Sequence, residues 1–323
     1  MDVAPADVGI YIPQVTADYD AMVARARQVE ALGLGSLWLF DHLYTPGLPD
    51  RPALEAWTLA TALLVETTTL RVGHLVLDNN LRHPALLAQM IATLDVVSRG
   101  RFELGLGSGS VAVEHEQAGL PWGPMAERSA RLGEALAVIT GLLADGDGDD
   151  GSDGSGDFAF EGEHYRVHDL PCRPGPVQRP HPPLHIGGIG PRYTLPLVAR
   201  YADVWNVPTY GLADWERAAG QLDACCDEIG RDPATVRRSH EAVLVLAADE
   251  ASLPAARERA LRRYPGPGFG VEEGGYVGTP AQVADRIGTM AAAGVDQFVF
   301  IPHDRGEGDV LDLLAAEVLP ALT

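Results

Sequence analysis

Eight short runs rich in β-branched, aromatic or glycine residues alternate with longer segments of helical period, and that order restricts the chain more than any single motif. The runs are Val8 to Ile12, Ser36 to Asp41, Leu70 to Leu77, Arg101 to Gly107, Pro183 to Gly187, Asp203 to Val207, Ala242 to Ala247 and Gln297 to Ile301. Helical patterns occupy Tyr19 to Leu32, Leu54 to Val65, Pro84 to Val97, Ala126 to Leu143, Trp215 to Ile229 and Gln282 to Ala293. Gly33 is placed to end the first helix, and Thr279-Pro280 to begin the last as N-cap and N1. Strands that alternate with helices pair in parallel through right-handed crossovers, and eight of them predict a closed α/β fold, a (β/α)8 TIM barrel with loop insertions. An open doubly wound sheet is the alternative arrangement of the same elements. At 323 residues the chain fits one barrel, so residues 1–323 are expected to form a single domain.

The charge balance narrows the partners. Against 24 Lys and Arg stand 45 Asp and Glu, a net charge of -21 that repels phosphate backbones and anionic lipid headgroups. Nucleic acid and membrane surfaces are therefore not expected partners. The opening MDVAPADVGIYIP has neither a basic nor an apolar leader region, and the sequence reads as cytoplasmic. Cys172, Cys225 and Cys226 form no C-x-x-C and indicate neither a disulfide framework nor a zinc site.

Two stretches break the alternation. Residues 145–157 contain only Asp, Gly and Ser, which predicts a flexible acidic loop; the glycine and glutamate that a calcium-binding EF-hand needs are missing from their places. Tyr264 to Val277, rich in Gly and Pro, suits either a lid over a barrel mouth or a plain connector.

Active sites of such barrels lie at the carboxyl ends of the strands, so strand-terminal residues carry the functional expectation. The second strand delivers Asp41 and His42, an imidazole with a carboxylate beside it, suited to proton transfer. The third ends in Asp78, Asn79 and Asn80, short polar residues that fit a tight turn or offer hydrogen bonds to a heteroaromatic ligand. In RFELGLGSGS, Ser110 stands where a dinucleotide fingerprint needs its third glycine; the closely spaced glycines suit the approach of a flat ring. Glu114 and His115, just beyond, read as solvated loop residues in preference to the alternative, that they face the substrate. Gly187, Gly188 and Gly190 precede a helix expected to begin near Pro191, an arrangement suited to a phosphate, with Arg192 adding charge. His164 and His168 lack the H-E-x-x-H pattern, no G-x-S-x-G elbow is present, and no metal is expected.

Taken together, LWLFDH, EAWTLATAL, LRVGHLVLDNNLRHPALLAQMIATLDVVSRGRFELGLGSG, EHEQAGLPW, PVQRPHPPLHIGG with LVARYADVWN, and VGTPAQVADRI with AAAGVDQFVF resemble the bacterial luciferase-like monooxygenase superfamily. Within it the text looks most like the branch of coenzyme F420-dependent oxidoreductases, and FMN-dependent monooxygenases share much of it. The resemblance implies that His42 stands at the reacting face of the cofactor ring with Asp41 as a cofactor contact. It also implies that Val76, Leu77 and Asp78 form a corner, often with a non-prolyl cis peptide, behind the ring. Ser108 and Gly109 match further cofactor contacts, and Gly187, Gly188 and Gly190 match amides around the phosphate. Ser110 replaces a glutamate found in the sugar-phosphate dehydrogenase branch, so that branch's acid/base pair does not carry over and a sugar-phosphate substrate is not expected.

The expected activity is hydride transfer between a deazaflavin, coenzyme F420, and a small organic substrate, with His42 managing the proton. The alternatives are an FMN-dependent monooxygenase using reduced flavin and oxygen, and a non-catalytic flavin-binding protein. A separate cofactor reductase and a homodimer complete the expected partners, the dimer by resemblance alone.

Overall fold

The strand runs close on themselves. The computed structural model describes residues 3–15, 18–144 and 158–322. Its elements run β1 (Val8–Tyr11), α1 (Tyr19–Ala31), β2 (Ser36–Leu39), α2 (Ala56–Glu66), β3 (Arg71–His74), β4 (Leu77–Asp78), α3 (Pro84–Ser98), β5 (Phe102–Gly107), α4 (Ala112–Ala118), α5 (Met125–Ala144), β6 (Phe158–Glu161) and β7 (Arg166–Leu170). They continue with β8 (Leu184–Gly187), α6 (Leu195–Tyr201), β9 (Val204–Val207), α7 (Trp215–Glu228), β10 (Arg237–Leu246), α8 (Leu253–Arg263), β11 (Tyr276–Gly278), α9 (Pro280–Ala292), β12 (Gln297–Pro302) and α10 (Val310–Leu313). Parallel pairing passes from β1 through β2, β3, β5, β8, β9 and β10 to β12, and β12 returns to β1, with Val8 opposite Phe298. This is the closed eight-stranded barrel, and it excludes the open sheet.

Alternation along each strand divides two apolar sets. Leu37, Val72, Leu104, Ile186 and Phe298 pack outward against the helices, whereas Trp38, Val243, Val245, Val299 and Ile301 fill the barrel. Trp38 is fully buried there in space conceded by glycines: a Cβ on Gly73 would lie 2.6 Å from its ring, and one on Gly9 2.7 Å from its Nε1. Glu103 points inward as well, and Arg71 and His185 hold its charge, His185 Nε2 at 2.9 Å. Burial raises the Glu103 carboxyl's pKa, but these partners outweigh it and hold the group below its ordinary value.

The helix ends follow the sequence signals. Gly33 adopts φ 73° directly after α1, and Thr279 caps α9 with Gln282 reaching back and Pro280 in the first turn. Several elements were not anticipated. The hairpin β6–β7 is antiparallel and carries His168 exposed, where an irregular stretch was expected. The acidic stretch 145–157 lies outside the described residues. Strand β10 begins at Arg237, five residues before the expected Ala242. The segment 264–275 leads into β11, which pairs with the end of β10, Leu244 opposite Tyr276. Its Tyr264 and Val271 join the apolar cluster of the barrel interior. Thr209, in the loop after β9, donates to Gly268 O at 2.6 Å, so the segment is fastened beside the barrel mouth. None of the described helices is long and apolar enough to cross a membrane.

Candidate functional site

At the carboxyl ends of the strands lies a cavity of about 620 Å³. Asp41, His42, Val76, Leu77, Asp78, Ser108, Gly109, Gly187, Gly188 and Gly190 all line it. Residues more than a hundred positions apart thus meet because each terminates a strand of the same barrel. Phe40, Leu75, Ser110, Met125, Arg128, Ile189, Thr194, Asn206, Pro208, Tyr210 and Glu241 complete most of the wall.

His42 is held by a residue whose environment was misread. Glu114 was expected in solvated loop; it lies on α4, is only 3% exposed, and its Oε2 stands 2.7 Å from His42 Nδ1. Its Oε1 accepts from the backbone of Leu43 at 2.9 Å and of Tyr44 at 3.4 Å, so one carboxylate fixes both the ring and the loop that carries it. With Nδ1 engaged, Nε2 is the ring nitrogen left to exchange a proton with a bound molecule. His115 is buried as well: its Nδ1 pairs with Val111 O at 2.9 Å, and its Nε2 lies 3.2 Å from Asp78 Oδ2 without hydrogen-bond alignment.

Asp41 is an anchor of the corner. Arg82 donates to both its oxygens, at 2.7 and 3.0 Å, and the backbone N–H of Asp78 donates to Oδ2 at 2.9 Å. A bidentate guanidinium satisfies a buried carboxylate well, and here it ties β2 to the turn before α3. Between β3 and β4 the Leu75-Val76 peptide is cis and non-prolyl, at the corner where the resemblance placed one. Asp78 Oδ1 accepts from the Asn80 backbone and side chain, both at 2.9 Å. Gly109 turns with φ 83° so close to this corner that a Cβ would lie 2.7 Å from Asp78 Oδ2.

The later glycines are arranged differently from expectation. The helix after them starts at Leu195, four residues beyond Pro191, and the N–H groups of Thr194 and Leu195 both donate to Gly190 O, at 2.9 and 3.0 Å. The helix end therefore spends its first amides on the loop, and the cavity wall is the bend through Gly188, at φ 124°, to Gly190, with Thr194 behind it. Arg192 is exposed against Tyr193; the cation on the wall is Arg128 of α5, which donates to Gly109 O at 2.5 Å and Ser108 O at 3.2 Å and stacks on Trp122.

Across the cavity, Glu241 of β10 accepts from Asn206 Nδ2 at 2.9 Å. Burial pushes its carboxyl up to about 7, against the opposing effect of that bond. Asn206 is buried, and its Oδ1 has no hydrogen-bond partner among the described residues. Neither residue was singled out in the sequence. Glu241 shares the inward face with Val243 and Val245, so extending that period of two backwards reveals it.

The cavity can hold a flat heteroaromatic cofactor. Leu75, Val76 and Leu77 supply an apolar wall, and Gly107 keeps it open because a Cβ there would strike Val76 at 2.5 Å.

Fold and site define an α/β barrel with a ligand-sized cavity at the carboxyl ends of its strands. More narrowly, the chain belongs to the luciferase-like monooxygenase family, whose model matches residues 3–269. It is 28% identical over 251 residues to an F420-dependent hydroxymycolic acid dehydrogenase of Mycobacterium tuberculosis, covering 77% of this chain and 65% of that one. It is 28% identical to an FMNH(2)-dependent dimethylsulfone monooxygenase of Pseudomonas putida, covering 78% and 75%. The chain spans 46% to 65% of the length of the first four curated relatives it matches. Its fold matches an F420-dependent secondary alcohol dehydrogenase in complex with an F420-acetone adduct, with a TM-score of 0.82, 20% identity and full coverage of both chains.

Proposed function

We propose that the protein is an F420-dependent oxidoreductase that transfers hydride to or from a small organic substrate in this cavity. The observation that carries the reading is His42 at the cavity wall, oriented through Nδ1 by the buried Glu114. The F420-dependent dehydrogenases among its relatives support the choice of cofactor. When bound, the deazaflavin supplies a carbon centre that gives or accepts hydride. In this reading Leu75, Val76 and Leu77 back the ring, Asp41 and Asp78 fix the corner, and Ser108, Gly109, Gly187, Gly188 and Gly190 hold the phosphate-bearing arm beside Arg128. His42 Nε2 holds or releases the proton that accompanies hydride transfer, and Glu114 keeps the imidazole aimed.

A second reading, an FMN-dependent monooxygenase fed with reduced flavin, is supported by the sulfone monooxygenase relative. Where reduced cofactor is consumed, as in the monooxygenase reading or in reduction of the substrate by F420, a separate reductase supplies it. Val65, Leu86, Val96 and Val97 are exposed apolar side chains on α2 and α3, and they support self-association as a homodimer. Titration of the protein with F420 and FMN in parallel separates the two cofactor readings.

A further inference from the structure

Three carboxylates line the cavity, and two of them are already engaged: Asp41 by the Arg82 guanidinium, Asp78 by Asn80 with His115 beside it. Glu241 differs. Its one side-chain hydrogen bond comes from a neutral amide, Asn206 Nδ2. Its negative charge acts on two phenols, Tyr11 on β1 and Tyr210 after β9, and would raise the pKa of both. Among the described residues no cation offsets its charge, and its strand partner on β12 is Val299. A carboxyl in such surroundings keeps its proton near neutrality, with a pKa of about 7. Beside it, the buried Asn206 Oδ1 has no donor. A protonated carboxyl and an amide oxygen side by side form a donor and an acceptor that together suit an uncharged oxygen function.

The geometry points to Glu241 and Asn206 as a specificity-determining pair that binds the hydroxyl or carbonyl oxygen of an uncharged alcohol or ketone and rejects carboxylates. This rests on the cofactor-dependent reading above, with the substrate held between the cofactor and the wall formed by β9 and β10. A ketone oxygen can only accept, so it needs the Glu241 proton. An alcohol can also donate, to Asn206 Oδ1 or to an ionised Glu241. An anionic substrate placed at this pair meets a carboxyl whose charge no cation among the described residues offsets, since Arg128 is engaged with Ser108 O and Gly109 O.

The test uses cofactor-loaded protein and a panel of cyclohexanone, cyclohexanol, 2-octanone and 2-octanol against cyclohexanecarboxylate and octanoate, with dissociation constants measured by ligand-observed NMR at pH 6 and pH 8.5. Ketones are expected to bind at pH 6 and to weaken by about thirtyfold at pH 8.5, as the protonated fraction of a group titrating near 7 falls. Alcohols are expected to weaken less, carboxylates to bind at least about tenfold more weakly than ketones at pH 6, and Glu241→Gln to bind ketones without pH dependence. Carboxylates binding as well as ketones, no panel member binding, or the pH dependence surviving in Glu241→Gln would each overturn the inference. Infrared difference spectra of cofactor-free protein, wild type minus Glu241→Gln, isolate it from the cofactor reading. A protonated-carboxyl band at pH 6 that fades by pH 8.5 is expected, and its absence at pH 6 overturns the inference whichever cofactor binds.

Discussion

Glu114 Oε2 stands 2.7 Å from His42 Nδ1, joining residues 72 positions apart through the turn of a short helix that follows the fourth barrel strand. An imidazole fixed at one nitrogen presents the other in a defined direction, here at the mouth of the barrel.

Removing the orienter is expected to separate chemistry from binding. Glu114→Ala should lower turnover by roughly tenfold to a hundredfold through misplacement of the ring. His42→Ala should lower it by about a hundredfold to ten-thousandfold. Both should change the cofactor dissociation constant by less than about threefold, as stopped-flow rates and equilibrium titration on the same variants would show. Unchanged turnover in His42→Ala would contradict the proton-handling role given to His42, whereas cofactor binding without turnover in the wild type would favour the non-catalytic flavin-binding reading.

The Asp41–Arg82 pair predicts a stability effect. The two side chains are only 3% and 12% exposed, and Arg82→Met strands the carboxylate without its guanidinium. Breaking such a pair from one side costs about 3 to 5 kcal/mol. Adding Asp41→Asn should recover part of that loss. Urea unfolding of the two single variants and the double variant gives the coupling; additive losses would remove Asp41 from its anchoring role.

Gly109 is predicted to tolerate no side chain. It adopts φ 83°, and a Cβ would lie 2.7 Å from Asp78 Oδ2 and 3.0 Å from Asn80 Nδ2. Gly109→Ala therefore strains the backbone by about 1 to 3 kcal/mol and displaces the corner. Cofactor affinity should fall by about tenfold or more, whereas Gly230→Ala, at an exposed helix end with nothing within 4 Å of the added Cβ, should leave it unchanged.

Glu241 carries a pH signature in unfolding. Its carboxyl titrates at about 7 in the folded chain against an ordinary 4.5. Between those values the unfolded chain gives up the proton while the folded chain keeps it, so stability falls as pH rises through this window. Glu241→Gln removes the effect and should stabilise the protein above pH 7 by an amount on the order of 3 kcal/mol relative to its effect below pH 4.5. Chemical unfolding of both proteins from pH 4 to pH 8.5 gives the difference, and a difference that does not change with pH would contradict the assignment.

The barrel was legible because its strands are apolar runs bounded by turn signals, and strand ends locate a mouth without knowledge of any contact. Asp41, His42, Asp78 and the glycines were visible for that reason. Glu114 was not: AVEHEQAG is half polar and has no continuous apolar face, although Gly119 and Pro121 mark where a helix would end. Glu241 was hidden in a strand whose first half, RRSHE, is polar on both faces, since the barrel interior there binds polar groups and His240 faces outward between Trp215 and Tyr276. The start of α6 was misplaced because Pro191 suits a first turn locally, while the bond pattern at Gly190 delays the helix to Leu195.

The most direct test is titration of purified cofactor-free protein with coenzyme F420 and with FMN in parallel, following the fluorescence of each ring, in the wild type and in Gly109→Ala. Saturable binding of F420 at least about tenfold tighter than FMN, weakened in the variant, is the predicted result. Preferential binding of FMN would contradict the deazaflavin assignment and put the monooxygenase reading in its place, and binding of neither would contradict the cofactor site itself.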